Sequence, residues 1–316
     1  MPTSEQADTN EAATDAATAH RHKAGQAATA DPMSRPPMVK VALPNKGALA
    51  EEAAALMEEA GYRIGRSSKA LRVIDRAESV EFLFLRPRDI AIYVGSGVID
   101  LGITGRDLTT DSGAPVDEVL GLGFGQAEFR LAAPAGSGFA LRDGCRIATS
   151  YDGLLGRYLA ERGVDAEVIH LDGAVELAPS LGVADAVADV VQSGRTLAEA
   201  GLEVVGEQLL ASEAVLIARS GRQLDAADRV MIERVRGVVV AASYLMVEYD
   251  LPEHLVAQAT AVAPGMEGLT VAPLAREGWV AIRVMVAKSD ANRVMDELAA
   301  LGAKAILASD LRTCRL

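Results

Sequence analysis

A layered α/β architecture spread over more than one domain is what this sequence predicts, on three observations. The chain has 316 residues, long for one hydrophobic core and ample for two or three. Half of its residues are hydrophobic but only 4% are aromatic, an Ala/Val/Leu balance that suits helices packed on sheets better than a β-sandwich. Short apolar runs with strand character are followed by small-residue loops and helix-period segments, the signature of strand-loop-helix units. The formal charge of −13 works against general nucleic-acid affinity, although a nucleotide pocket needs only a few local cations. Cys145 and Cys314 are too few and too far apart for a disulfide framework or a thiolate metal site. No apolar run approaches the roughly 18 residues of a membrane span and the N-terminus has no hydrophobic signal core, so a soluble cytoplasmic protein with no membrane partner is expected.

Residues 1–37 are rich in Ala, Thr, Asp and Gln and end in Pro32, Pro36 and Pro37, which reads as a disordered tail. Within it, His20-Arg21-His22 is a solvated fragment rather than a metal clip. Residues 38–43 read as a buried strand and Pro44-Asn45-Lys46-Gly47 as its loop; Leu49, Ala53, Leu56, Met57 and Ala60 then share one helix face, closed by Gly61. Lys46 is either solvated or set against a polyphosphate. Residues 82–85 form a second strand, followed by Arg86-Pro87-Arg88-Asp89 and a helix over 90–95. The two arginines suit an anion clamp, or an exposed turn before an N-cap aspartate. Residues 99–108 run another strand into a glycine turn that ends in Arg106-Asp107-Leu108. The glycines of 121–125 lack the spacing and the following helix of a dinucleotide fingerprint.

A second α/β lobe begins near Phe129, with strands over 130–133, 146–149 and 167–170 and a helix over 154–162. Tyr151 follows the 146–149 strand. His170 has no carboxylate at useful spacing and reads as structural. A turn at Asp172-Gly173 sets Glu176 at the start of a helix running toward Leu181, its carboxylate facing the crevice or simply favoured by the helix dipole. The informative stretch comes next: Asp189-Val190-Val191-Gln192-Ser193-Gly194-Arg195-Thr196-Leu197. It joins a strand over 184–191 to a helix start at 197–200. Such a loop points successive N–H groups into one concavity, adds the hydroxyls of Ser193 and Thr196, and lies at a helix N-terminus, all of which suit a phosphate. Asp189 suits a sugar hydroxyl or a metal ion bridging to the phosphate. A local explanation also stands, since a strand-to-helix turn needs a glycine and a capping hydroxyl for its own sake.

Residues 203–205 and 214–219 read as strands returning to the first lobe, and two lobes with a ligand between them resemble the periplasmic-binding-protein architecture. A long helix pattern over 230–249 takes on strand character from 244. Beyond it, a helix over 253–260, strands over 269–273 and 279–286, a helix over 289–301 and a strand over 305–308 give the β-α-β-β-α-β order of a ferredoxin-like domain, suited to a regulatory ligand or to oligomerisation.

Glu176, Gly182, Ala184, Val187, Asp189-Val190, Ser193-Gly194 and Thr196-Leu197, at this spacing, resemble the signature of the ATP phosphoribosyltransferases, and the chain from Met38 onward resembles their long form with a C-terminal regulatory domain. The resemblance implies a two-lobed catalytic part, lobe I over 38–127 plus 215–243 and lobe II over 128–214, followed by a ferredoxin-like regulatory domain over 244–316. It implies transfer of phosphoribosyl from phosphoribosyl pyrophosphate to N1 of ATP with release of pyrophosphate, Mg2+ as cofactor, feedback inhibition by histidine, and assembly as a homo-oligomer, dimer or hexamer. Residue by residue, it implies catalytic roles for Glu176 and Asp189. Asp189, Ser193, Gly194, Arg195 and Thr196 would bind the sugar phosphate, and Lys46, Arg86, Asp107 and Tyr151 the nucleotide. Asp250 and Thr270 would contact histidine, and the protein ligands of the metal stay unspecified. Two other readings stand beside it: a cytoplasmic two-lobed ligand-binding sensor without catalysis, and a phosphoribosyltransferase with another base as acceptor.

Overall fold

The computed structural model describes residues 38–65 and 70–315; the tail expected over residues 1–37 lies outside the described residues. The chain runs through β1 (Val39–Pro44), α1 (Ala48–Glu59), β2 (Arg72–Asp75), β3 (Val80–Leu85), α2 (Pro87–Gly95), β4 (Leu101–Gly105), α3 (Arg106–Ser112) and β5 (Val116–Gly121). It then crosses to β6 (Ala127–Pro134), β7 (Arg146–Thr149), α4 (Asp152–Arg162), β8 (Glu167–His170), a 3-10 turn at Val175–Leu177, β9 (Ala186–Val191), α5 (Arg195–Glu199) and β10 (Leu202–Ser212). It returns through β11 (Ala214–Arg219) to α6 (Ala226–Ser243).

Two sheets result, in the orders β2-β3-β1-β4-β11-β5 and β10-β6-β9-β7-β8. The centre of the first is parallel, β1 lying between β3 and β4, and covered on both faces. This is why β1 reads as an unbroken apolar run around Val41, Ala42 and Leu43. On one face Ala53 and Met57 of α1 and Met231 and Val235 of α6 pack with Phe82 and Phe84; on the other, Ile90, Ala91 and Val94 of α2 meet Val215 and Ile217. The second sheet has its own core of Phe129, Leu131, Ile147, Leu155 and Leu159. Two sheets joined by one outgoing and one returning connection make the expected two-lobed, periplasmic-binding-protein-like arrangement.

The C-terminal part comprises β12 (Tyr244–Pro252), α7 (Val256–Val262), β13 (Thr270–Pro273), β14 (Trp279–Ala287), α8 (Ala291–Leu301) and β15 (Lys304–Asp310). Its sheet order, β13-β14-β12-β15, is that of a ferredoxin-like fold, and Val247, Tyr249, Leu251, Ile282 and Leu298 form a separate core beneath its two helices.

Two local expectations differ. The helix from Glu176 to Leu181 is only the single 3-10 turn, because Pro179 and the left-handed Gly182 (φ 72°) close the chain before a second turn forms. Residues 203–205 do not return to the first sheet: they begin β10, which pairs antiparallel with β6 across a bulge, and β11 alone goes back. Two strands of the first sheet, β2 and β5, carry no clear periodicity and emerge only from the structure.

Candidate active site

In both sheets the parallel strands deliver their C-terminal ends to one edge, where open α/β sheets bind ligands. In the first sheet, β1 and β3 are in register from Val39↔Val80 to Pro44↔Leu85, so the loop carrying Lys46 and the turn carrying Arg86 emerge side by side. Both side chains are exposed. β4, parallel to β1, ends at the same edge and passes into α3, whose second residue is Asp107. In the second sheet, β7 and β9 are parallel and present Tyr151 and Asp189 at their ends.

Beyond Asp189 the chain bends around Gly194, held in the left-handed region at φ 69°, and enters α5. The bend wraps a cavity of about 270 Å³ lined by Glu176 and by residues 189–197. Ser193 and Thr196 are exposed, while Arg195 is tied to Glu199 by a 2.7 Å contact. A second cavity of about 700 Å³ shares residues 191–194 and extends toward Arg106, Ser212 and Glu213 at the crossing between the sheets.

Burial pushes the Asp189 carboxyl above its ordinary pKa; the Val190 N–H, 2.7 Å away, works the other way, the Glu176 and Asp107 carboxylates push it further up, and Arg88 relieves it. Charges from both lobes therefore meet at Asp189. Asp107 is buried, its N–H donating to Ser212 Oγ at 3.1 Å and its carboxylate accepting the Ser212 hydroxyl at 2.6 Å. The same carboxylate faces Tyr151; burial first, then the charge of Asp107, raises the phenol far above its usual range, so it stays protonated. Its ring lies 5.4 Å from Phe129 and 4.8 Å beneath the Arg88 guanidinium.

Glu176, Asp189, the 193–196 loop, Asp107 and Tyr151 are thus brought together, with Lys46 and Arg86 at the same edge of the first sheet. Arg88 and Ser212 belong to this constellation as well. Arg88 was legible only as one of two clamp arginines, and Ser212, at the far end of β10, carries no local signal. Asp250 and Thr270 lie apart, on the C-terminal domain: β14 pairs Ala281 with Asp250 and Arg283 with Thr270, which puts both on the sheet face opposite the buried Tyr249 and Ile282.

His170 does have carboxylate partners, contrary to expectation: Asp152 Oδ2 at 2.8 Å and Asp172 Oδ1 at 3.4 Å, of which Asp152 dominates in raising the imidazole pKa. Asp152 lies eighteen residues back, at the start of α4, where only the folding of the lobe brings it to β8. The exposed His170 lines neither of the two cavities. Among the described residues no cluster of three or more His, Cys, Asp or Glu side chains is arranged to hold a metal ion. No described helix is long and apolar enough to cross a membrane.

The profile of the family described as ATP phosphoribosyltransferase matches residues 86–237, and that of its C-terminal domain matches residues 241–313. An ATP phosphoribosyltransferase of Mycobacterium tuberculosis (strain ATCC 25177 / H37Ra) is 57% identical over 284 residues, spanning 88% of this chain and all of that protein. One from Corynebacterium efficiens is 54% identical over 281 residues, with the same two coverages. Among solved structures, the ATP phosphoribosyl transferase (HisG:HisZ) complex from Thermotoga maritima aligns with TM-score 0.56 and 26% identity, over 63% of this chain and 97% of that one.

Proposed function

The chain belongs to the ATP phosphoribosyltransferase family, and on that premise we propose how its crevice divides between two substrates. The protein is a glycosyltransferase of histidine biosynthesis: N1 of ATP attacks the anomeric carbon of phosphoribosyl pyrophosphate, and the C–O bond to pyrophosphate breaks with its electron pair leaving on the pyrophosphate oxygen. N1 brings its own lone pair, so alignment and charge management matter more than a strong base.

In our reading the loop over 193–196 holds the 5′-phosphate, with the Ser193 and Thr196 hydroxyls, the Gly194 bend and Arg195 facing it, and Asp189 takes the ribose hydroxyls. Across the crevice Tyr151 meets the adenine and Asp107 the base or ribose, while Lys46 and Arg86 counter the phosphates. Developing positive charge on the sugar would be met by Asp189 and Glu176. The donor set also fits the metal ion that this chemistry uses, which we assign as Mg2+. Asp189 and Glu176 are hard oxygen ligands whose mutual repulsion a dication would relieve, and too few for an all-protein cage, so substrate phosphates and water would complete the shell. When bound, the ion would supply positive charge against the departing pyrophosphate. We assign lobe I to 38–127 plus 215–243, lobe II to 128–214, and feedback inhibition by histidine to the domain over 244–316, with Asp250 and Thr270 on its uncovered sheet face. A cytoplasmic homo-oligomer, dimer or hexamer, completes the proposal; the Thermotoga relative is itself described as a complex.

The convergence of Asp107, Tyr151 and Glu176 on Asp189 beside the 270 Å³ cavity carries this reading. Thr196→Ala and Asp189→Ala are each expected to raise KM for phosphoribosyl pyrophosphate about ten-fold or more while KM for ATP moves less than about two-fold. Equal losses for both substrates in initial-rate assays would move the sugar-phosphate site elsewhere.

A further inference from the structure

The first turn of α4 poses a problem that its own sequence does not solve. Its N-cap position is Tyr151, which makes no side-chain capping bond, so the N–H groups of the first turn need acceptors from elsewhere. One comes from the other lobe: Asp111, near the end of α3, accepts the Leu154 N–H on Oδ1 at 3.1 Å. Its second oxygen, Oδ2, takes Nη1 of Arg88 at 2.5 Å, and Arg88 in turn lies over the Tyr151 ring. The Asp111 side chain is only 10% exposed, so these are its main partners. The backbones press together at the same point: a Cβ on Gly153 would sit 2.2 Å from the Asp111 carbonyl oxygen, which reserves that position for glycine. One carboxylate therefore caps a helix across the crevice and holds the cation that stacks on the residue beginning that helix.

We propose that Asp111 is a positioning residue for the nucleotide: with Arg88 it forms a clasp across the crevice that fixes the N-terminus of α4 against α3 and so sets where Tyr151 meets the base. The proposal rests on the reading that Tyr151 faces adenine. The Tyr151 ring is packed between Phe129 and the Arg88 guanidinium, with the Asp107 charge close to its hydroxyl. Arg88 holds the side chain; Asp111 anchors the helix that carries its backbone. Without Asp111 the Leu154 N–H loses its acceptor and Arg88 loses the partner that keeps it over the ring. The sugar-phosphate loop lies on β9 and α5, and Asp111 makes no hydrogen bond or ion pair to it among the described residues. The effect should therefore fall mainly on ATP, with only a small one on phosphoribosyl pyrophosphate through the Arg88 charge that also bears on Asp189.

Asp111→Ala is expected to raise KM for ATP about ten-fold with KM for phosphoribosyl pyrophosphate within about two-fold of the parent. Asp111→Asn retains an oxygen for the Leu154 N–H and should recover part of that loss. Arg88→Ala leaves the cap intact, should itself raise KM for ATP, and in the double variant with Asp111→Ala should add less than its separate effect. An unchanged KM for ATP in Asp111→Ala, a parallel rise in both KM values, or full additivity of the two substitutions each overturns the clasp. Should Asp111→Ala fail to fold, Arg88→Ala and Asp111→Asn carry the same decision through the same KM comparison. Tyr151→Leu separates the two levels of the argument. If it leaves KM for ATP unchanged while Asp111→Ala raises it, the nucleotide role of Tyr151 falls and the proposal, which needs it, falls in that form. If Tyr151→Leu raises KM for ATP and Asp111→Ala does not, the clasp alone is refuted.

Discussion

Asp189 holds its charge where burial and neighbouring carboxylates make it least comfortable for the fold. Burial and the facing carboxylates of Glu176 and Asp107 raise its pKa above the ordinary 3.8. The sign of the consequence follows from proton linkage: between 3.8 and the raised folded value the native state holds a proton that the unfolded chain has released, so stability falls as pH rises through that window, and the deficit is complete above it. Asp189→Asn keeps the shape and an oxygen for the Val190 N–H but removes the charge. It is expected to raise Tm at about pH 7, with an advantage that shrinks as pH is lowered toward about 4, while binding of phosphoribosyl pyrophosphate is weakened. Calorimetric melts of parent and variant across this range decide the matter; a gain independent of pH, or a lower Tm at neutral pH, contradicts the assignment of the shift. Tyr151 is the opposite case. Its phenol is raised by burial, which leaves it neutral throughout the working range and adds no pH dependence of its own near neutrality.

Between residue and molecule stands the crossing through which the lobes are joined. The return passes through Glu213 alone, between β10 and β11, and this residue is pinned three ways. Its Oε1 takes Arg106 Nη2 at 2.9 Å, its Oε2 takes the N–H of Gly123 on the outgoing crossing at 3.0 Å, and its carbonyl takes the Arg106 N–H. Arg106 is held in addition by Glu118, the largest contributor to its raised pKa. Glu213→Ala removes two charge-assisted contacts, together about 1–2 kcal/mol in this partly screened setting. Amide exchange across residues 122–126 is therefore expected to speed up about ten-fold, with β4 unaffected, and kcat to fall. Unchanged exchange at the crossing would show that its order does not depend on Glu213. This crossing also marks the limit of what a sequence shows. β1, β3, β4, β9 and the ferredoxin-like order were legible because strands buried on both faces read as apolar runs and α1 and α8 carry clear helix periods. β2 is a four-residue edge strand with one buried position, too short and too exposed to leave a pattern. The loop around Asp189 was readable as one unit because the residues 189–197 that line its cavity are consecutive. Asp111 on Leu154, Ser212 on Asp107 and Asp152 on His170 are pairings between distant segments, and no periodicity encodes them.

At the scale of the whole molecule, separate cores let the crevice and the C-terminal domain be tested separately. Val247, Tyr249, Leu251, Ile282 and Leu298 pack among themselves, whereas α6 buries Met231, Ile232, Val235 and Val238 in the core of the first sheet. The chain end ties the two parts together: the Cys314 N–H donates to the Gly237 carbonyl on α6 at 2.8 Å, an approach so close that a Cβ on Gly237 would lie 2.9 Å from Thr313 Oγ1. Removing everything after residue 243 deletes β12 to β15 and this strap together, yet takes nothing from the two sheets that form the crevice. The two hydrogen bonds lost to α6, from the Cys314 N–H to Gly237 and from the Lys288 N–H to Ser243, amount to about 2 kcal/mol, too little to unfold two lobes with intact cores. If histidine acts from the domain carrying Asp250 and Thr270, the shortened chain should still form pyrophosphate from ATP and phosphoribosyl pyrophosphate, and histidine should no longer slow it. Assembly is a separate readout, because an inactive truncated chain with a changed sedimentation coefficient would point to a crevice completed by oligomerisation instead. Persisting inhibition in an active truncated chain has no such second explanation: it would place the histidine site within residues 38–243 and leave the uncovered sheet face to subunit contacts alone.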